Sequence, residues 1–516
     1  MTRTATPPPP VETATQRHIR GSSFLLIGRM LAVCLNLAVQ VLMVRYLAKS
    51  DYGAFAYALA AVSLGSSVVL CGFSRTFGRF GPIYQERGDY DKLLGMMILT
   101  VGTILGLGVS MVLIVFGLRD ALSGLLVSDP LAFSLLLTLV ALSPVQALDS
   151  LFGGMLAVFA SPRAIFFRRH VLGPSLKLVV VLLLIYLHAS VHFLAVGYLV
   201  AGSLGTLMYV VALGRVLRAQ GVLQRFRLVK VRLPTRELFG FSLPLVSSDV
   251  VLVLRSSLVI LLLEYFRSTS DVAVFRAVLP IAQLNMVVYQ SFRLLFTPAA
   301  SRMFVRGNEP GMNELYWQTA AWISVLSFPV FAISFSQAQP LTIFLFGARY
   351  AESGLILAIL SAGFFFNATL GFNGLTLRVY GKVRQIVGID AVATVVAVVM
   401  NLLMIPRYGA LGGAIATCAT LVAHNLLYQA AVVRLNGIES FQRCHLRLYS
   451  TIVLAALGLL LIQVVAAPPL YVAVVLSAGA TVLLLASNAT VLQIERVFPE
   501  VLRFTVVRHL LGASGG

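Results

Sequence analysis

The chain has 516 residues, of which 59% are hydrophobic and 11% charged, with a mean hydropathy of +0.92. That much apolar surface cannot be hidden in one water-soluble core, so composition places the chain in a bilayer. The net charge of +20 would suit nucleic acid, but most of the 39 Lys and Arg fall in alternate loops, in the set that includes the N-terminal tail. This positive-inside pattern assigns the charge to membrane topology, puts both termini in the cytosol and excludes a nucleic-acid partner.

A spanning helix needs about 20 largely apolar residues, and the sequence supplies about 14 such segments. Residues 1–21, with Pro7 to Pro10 in a row and Arg17 and Arg20 behind them, are predicted to be a disordered cytosolic tail. The stretch Phe24 to Leu47 is too long for the apolar core of a cleavable signal, so targeting falls to the first span itself. Helices 1–6 occupy 22–217. A basic cytosolic linker at 218–238 follows, with Arg225, Arg227, Lys230, Arg232 and Arg236. Helices 7–12 occupy 239–433, two accessory helices 434–493, and a cytosolic tail 494–516. Runs such as Leu178 to Leu187 and Val472 to Leu485 are apolar on every face. That excludes the alternating segments of an outer-membrane barrel and leaves an all-α polytopic membrane protein. Cys34, Cys71 and Cys418 fall inside spans and Cys444 in a basic loop, which gives no disulfide framework and no metal spacing.

The two sets of six spans repeat each other. Tyr46, Asp51, Gly53 and Phe55 recur as Tyr265, Asp271, Ala273 and Phe275, and Gly154, Phe159 and Arg163 as Gly374, Tyr380 and Arg384. Because each repeat has an even number of spans, both start from the cytosolic side and the repeats are parallel. The last two spans have no counterpart and are accessory. A duplicated membrane bundle points to a transporter that rocks about a site between its halves.

Several residues carry a family resemblance. Phe241, Pro244 and Ser247 open span seven; Phe346-Gly347 and Gly381-Lys382 follow; and the run from Ile405 through Pro406, Arg407, Tyr408 and Gly409 to Gly412, Gly413 and Ala414 lies between spans eleven and twelve. With the Ala48 to Phe55 segment, these resemble the polysaccharide-transport flippases of the MOP exporter superfamily, to which lipid II flippases and multidrug exporters also belong. The resemblance covers nearly the whole chain. It implies a V-shaped pair of six-helix lobes, an N-lobe and a C-lobe, around a central cavity. It also implies a flippase that moves polyisoprenyl-diphosphate-linked oligosaccharide from the cytosolic to the outer leaflet of a bacterial inner membrane, for surface polysaccharides such as O-antigen or exopolysaccharide.

The polar residues inside the spans are read without the family. Ser22, Arg29, Asn36 and Gln40 share one face of span one; Arg276, Gln283 and Gln290 one face of span eight; Asp390, Thr394 and Asn401 one face of span eleven. An ionisable group in hydrocarbon is costly and usually faces a cavity or a partner. Arg255, near the middle of span seven, is the leading candidate, with Arg29, Lys177 and Arg276 nearer the span ends. Guanidinium groups pair with phosphate oxygens through charge-assisted hydrogen bonds. Arg29, Arg255, Lys177, Arg276, Asn36, Gln40, Gln283 and Gln290 are therefore the expected substrate-binding residues. Asp149, Asp249 and Asp390 are expected to couple an ion or to neutralise an Arg, and the spacing of Asp249 and Arg255 argues against a direct pair. His188, His192 and His424 form no arrangement with acids that suggests a metal or a triad and are expected in satisfied structural roles, and Trp317 and Trp322 suit the membrane interface.

The reading is a transporter and not an enzyme: it needs no covalent chemistry and no cofactor, only a proton or sodium gradient as candidate energy source, with the lipid bilayer and a polysaccharide polymerase as further partners. A multidrug exporter of the same fold would present acids and few cations. A glycan polymerase or ligase would need a larger outer loop than those near 118–130 and 336–352. A membrane scaffold would use only the Arg-rich linker.

Overall fold

The computed structural model describes residues 14–121, 129–159, 162–221, 232–436 and 443–493, with side chains left undescribed before Met30 and at 162–163, 247–248, 294–295 and 443–444. The described residues form helices and no strands. In chain order these are α1 (Ala14–Tyr46), α2 (Lys49–Leu70), α3 (Phe73–Glu86), α4 (Tyr90–Gly117), α5 (Pro130–Leu139), α6 (Leu142–Val158), α7 (Pro162–Phe166), a π-helix (Phe167–Leu172), α8 (Gly173–Tyr186) and α9 (Val191–Ala219). The second half adds α10 (Thr235–Phe266), α11 (Thr269–Gln283), α12 (Val287–Val305), α13 (Glu309–Ser336), α14 (Ala338–Phe346), α15 (Ser353–Thr369), α16 (Asn373–Val379) and α17 (Val383–Asn436). The last helices are α18 (Arg443–Ala466), α19 (Leu470–Ser487) and the short α20 (Ala489–Leu492).

Among the described residues, 11 helices are long and apolar enough to cross a membrane, or 12 with the bent pair α5 and α6. In hydrocarbon a helix satisfies its backbone internally, which is why apolar runs of this length take no other form. Two expected spans are not counted separately. The 54-residue α17 runs through spans eleven and twelve and is divided at Gly409, where φ is 55° and ψ −133°. In α1 the described apolar stretch is Met30–Tyr46.

Chain breaks fall where local chemistry dictates them. Ser268 caps α11 by accepting from the Asp271 amide, Asp89 caps α4 through Lys92, and Asn308 caps α13 through Gly311. The repeat read from the sequence maps onto equivalent positions. Tyr46 closes α1 and Tyr265 lies in the last turn of α10, while Phe159 and Tyr380 are the C-caps of α6 and α16.

The helices cluster into two compact units. One comprises Met1–Leu42, Val62–Arg119 and Leu136–Val250; the other Met43–Ala61, Asp120–Leu135 and Val251–Gly516. The core of the first is an aromatic and aliphatic cluster around Phe73, Phe77, Met96, Leu151 and Met155. The second holds two clusters, one around Tyr316, Trp317, Phe372 and Val432, the other where Val325, Phe328 and Phe331 of α13 meet Leu448 and Ile452 of α18. Trp317 and Trp322 are 2% and 8% exposed, so they pack inside the protein and not at the membrane interface. Their rings fill the space that α18 closes, with His445 4.8 Å from Trp317.

Candidate functional site: paired charges inside the spans

Each acid that the sequence places inside a span has a basic side chain against it. In the first unit the π-helix sets the geometry. Its wider turn carries Arg168 to within 2.7 Å of Asp149 on α6, with the guanidinium 5.7 Å from the Tyr209 ring. Such turns interrupt α-helices often at functional sites. Room for the guanidinium comes from Gly205 on α9, where a Cβ would lie 2.3 Å from its Cζ. Arg168 is only 13% exposed and Asp149 31%, so the pair is largely desolvated. The charges of Arg169 and Lys177 also act on Asp149, and Lys177 itself is exposed and sits 5.5 Å from the Tyr198 ring.

Asp249 on α10 pairs with Arg75 at 2.5 Å. Arg75 lies on α3, about 16 Å along the helix from its end at Glu86, yet half of its side chain is exposed. Arg79, one turn on, stacks over Phe241 at 4.5 Å. A half-exposed guanidinium at that depth must meet water or an anion, because hydrocarbon would not tolerate it.

The second unit holds Arg255, Asp390, His424 and Tyr428. His424 Nε2 lies 2.8 Å from Asp390 Oδ1, and the Tyr428 hydroxyl donates to the same oxygen at 2.9 Å. The charge of Arg255 acts on both Asp390 and Tyr428, and that of Arg378 on Tyr428. Arg255 and Asp390, two candidates read independently from the sequence, thus feel each other's charge without forming an ion pair among the described residues. Beside them, Asn425 donates to the Asn367 carbonyl at 2.8 Å and accepts from the Asn373 amide at 2.5 Å, tying α17 to α15 and α16.

The remaining candidates lie on α1, α11, α12 and α17. Asn36 donates to its own helix at Ala32 and is exposed; Gln40 is buried. Thr394 and Asn401, which share the face of Asp390, likewise bond to their own helix at Asp390 and Ala397. On α11, Arg276 is half-buried and Gln283 exposed, and Gln290 lies beyond a 3-10 turn at Leu284–Met286 that follows Pro280. The Arg29 side chain lies outside the described residues. Sequence reasoning missed Arg168, Arg75, His424 and Tyr428. The last two were within reach, because His424, Asn425, Tyr428 and Gln429 make two polar pairs at helical spacing in an apolar span. His424, expected in a satisfied structural role, finds its partner in Asp390, which comes from the other arm of α17.

The fold matches solved structures along most of its length. A lipid II flippase MurJ in an inward closed conformation aligns over 92% of this chain and 100% of its own, with a TM-score of 0.70 and 13% identity. A multidrug resistance MATE family transporter of the MOP superfamily, inward-facing, aligns over 81% and 98%, with a TM-score of 0.62 and 16% identity. A MOP superfamily transporter from Pyrococcus furiosus aligns over 83% and 97%, with a TM-score of 0.56 and 16% identity. This defines the class as a polytopic membrane protein with the MOP-superfamily fold. No curated protein matches the chain in sequence. A family model described as polysaccharide biosynthesis protein matches residues 42–355, and the chain belongs to that family.

Proposed function

We propose that this protein is a flippase that carries polyisoprenyl-diphosphate-linked oligosaccharide from the cytosolic to the outer leaflet of a bacterial inner membrane by ion-coupled alternating access. The glycan then joins a surface polysaccharide of the O-antigen or exopolysaccharide kind, with a polymerase as the next partner. Membership of a polysaccharide biosynthesis family supports the glycan, and the fold shared with a lipid II flippase supports the lipid carrier.

The observation that carries the reading is Arg255, inside the apolar α10, whose charge reaches the half-exposed Asp390. A fixed anion cannot cross hydrocarbon alone, and a guanidinium offers several donors of the right kind for phosphate oxygens. Arg75, exposed and held by Asp249, offers the same chemistry in the first unit. No group in either cluster needs to make or break a covalent bond for this task.

Arg255→Ala is expected to abolish surface polysaccharide while the amount of membrane-inserted protein stays at the wild-type level, with lipid-linked glycan accumulating on the inner leaflet. Immunoblotting of membranes and of surface glycan measures both. Normal surface polysaccharide in this variant removes Arg255 from the mechanism, and unchanged inner-leaflet glycan in a deletion strain removes the flippase reading altogether.

A further inference from the structure

Asp390 is poised between two kinds of partner. Its Oδ1 is taken by His424 and Tyr428, whereas among the described residues Oδ2 has no hydrogen-bond partner, and 47% of the side chain is exposed. His424 is 15% exposed, with its ring edge-on to Tyr428 at 4.7 Å, so its orientation towards the carboxylate is fixed by packing. The charges around the pair come from few places. On α17 itself they are Asp390, His424 and Tyr428; α10 contributes Arg255 and α16 contributes Arg378. From α15 and α16 the neutral amides Asn367 and Asn373 bond to Asn425, the residue next to His424. Asp271 of α11 faces the Gly409 end of α17, with Arg276 five residues further along α11. At the far end of α10, Glu264 bonds to Asp129 and Arg267 to the Ile405 carbonyl.

With His424 neutral, Arg255 and Arg378 together carry one positive charge more than Asp390. A diphosphate diester brings two negative charges to Arg255 and leaves the cluster one positive charge short. A proton on the His424–Asp390 pair restores the balance, and histidine is the side chain suited to accept it near neutral pH. We propose that Asp390 and His424 form a proton-binding site that takes up a proton when an anionic headgroup reaches Arg255, with His424 as a positioning residue that sets the charge available there. The proposal rests on the diphosphate reading of Arg255 and names how that site is regulated. Linkage fixes the sign: if binding the anion takes up a proton, raising the pH must weaken anion binding by the same coupling.

The test uses the full-length protein purified in detergent and, as probe, a short isoprenyl diphosphate diester bearing one sugar, whose charge does not change between pH 6 and pH 8. Calorimetry in two buffers of different ionisation enthalpy reads proton uptake directly. The wild type is expected to take up a measurable fraction of a proton at pH 7 and to bind roughly five- to tenfold more weakly at pH 8 than at pH 6. His424→Gln and Asp390→Asn are expected to bind the probe with no proton uptake and a flat pH profile. Wild-type binding without proton uptake overturns the proposal and leaves the diphosphate reading standing. Binding that survives Arg255→Ala, or no binding at all, overturns both.

Discussion

Arg168 shows what an arginine requires inside a span: a carboxylate, an aromatic face and space for its planar head. Asp149 of α6 supplies the first, and Tyr209 and Gly205 of α9 the other two. Removing one partner of a desolvated ion pair leaves the other charge uncompensated, which costs more than removing both. Arg168→Ala is therefore expected to lower stability by about 2 kcal/mol, with Asp149→Ala added to it recovering part of the loss. Gly205→Ala acts on the same pair by displacing the guanidinium, so its effect should largely vanish in the Arg168→Ala background. Thermal unfolding of the four variants in one detergent measures this, and simple additivity of Gly205→Ala and Arg168→Ala would show that the glycine serves only helix packing. The three acids were legible in the sequence because a carboxylate in an apolar run stands out. Their pairing with Arg168, Arg75 and His424 was not, since which helix faces which is set by packing register and by a π-turn that no spacing rule reveals.

At the scale of elements, two helix ends in the second unit complete each other. Arg45, in the last turn of α1, donates from Nε to the Leu345 carbonyl at 2.7 Å and from Nη2 to that of Phe344, at the end of α14. Arg349, just past α14, donates to the Arg45 carbonyl at 2.7 Å and to that of Val44. Carbonyls in the last turn of a helix have no internal partner and carry the negative end of the helix dipole, so each arginine caps the other's helix. Lys49 adds an ion pair with Glu352 at 2.6 Å. Close packing of the backbones follows from Gly53, where a Cβ would lie 1.7 Å from the Thr269 carbonyl oxygen. Arg349→Ala should lower stability by about 1 to 2 kcal/mol. Arg349→Lys should not recover it, because a single ammonium cannot reproduce the planar fork. Full recovery by Lys in a thermal unfolding series would mean that charge alone matters. The sequence showed the helix breaks after Tyr46 and before Thr269 and the glycine-bearing turn at Gly409, since Asp, Gly and Pro-Arg-Tyr-Gly signals are local. The exchange of caps was hidden, because it joins residues about 300 apart in the chain.

For the whole molecule the sequence pairs Tyr46 with Tyr265 and Phe159 with Tyr380, and all four lie at helix ends. The final helices fit no repeat, and their packing decides what they contribute. Leu448, Ile452 and Leu459 of α18 cover Trp322, Val325 and Phe328 of α13, and Leu484 of α19 joins the same cluster. In water, uncovering such a surface would unfold the protein. In a bilayer, acyl chains replace much of the lost contact, because lipid is as apolar as leucine. The specific losses are fewer. Tyr449 donates to the Thr369 carbonyl at 2.6 Å, a carbonyl that also accepts from Ser324, and His445 packs on Trp317. Asn488 donates to Thr451 within the helix pair itself, and that bond leaves with it. A chain ending after Asn436 is therefore expected to insert, to remain folded in native-like lipid and to lose a few degrees of melting temperature, with the larger part of the loss reproduced by Tyr449→Phe. Unfolding of the truncated protein in nanodiscs measures this. If it fails to accumulate even in lipid while Tyr449→Phe is unaffected, the pair is an integral wall of the second unit and not an accessory to it.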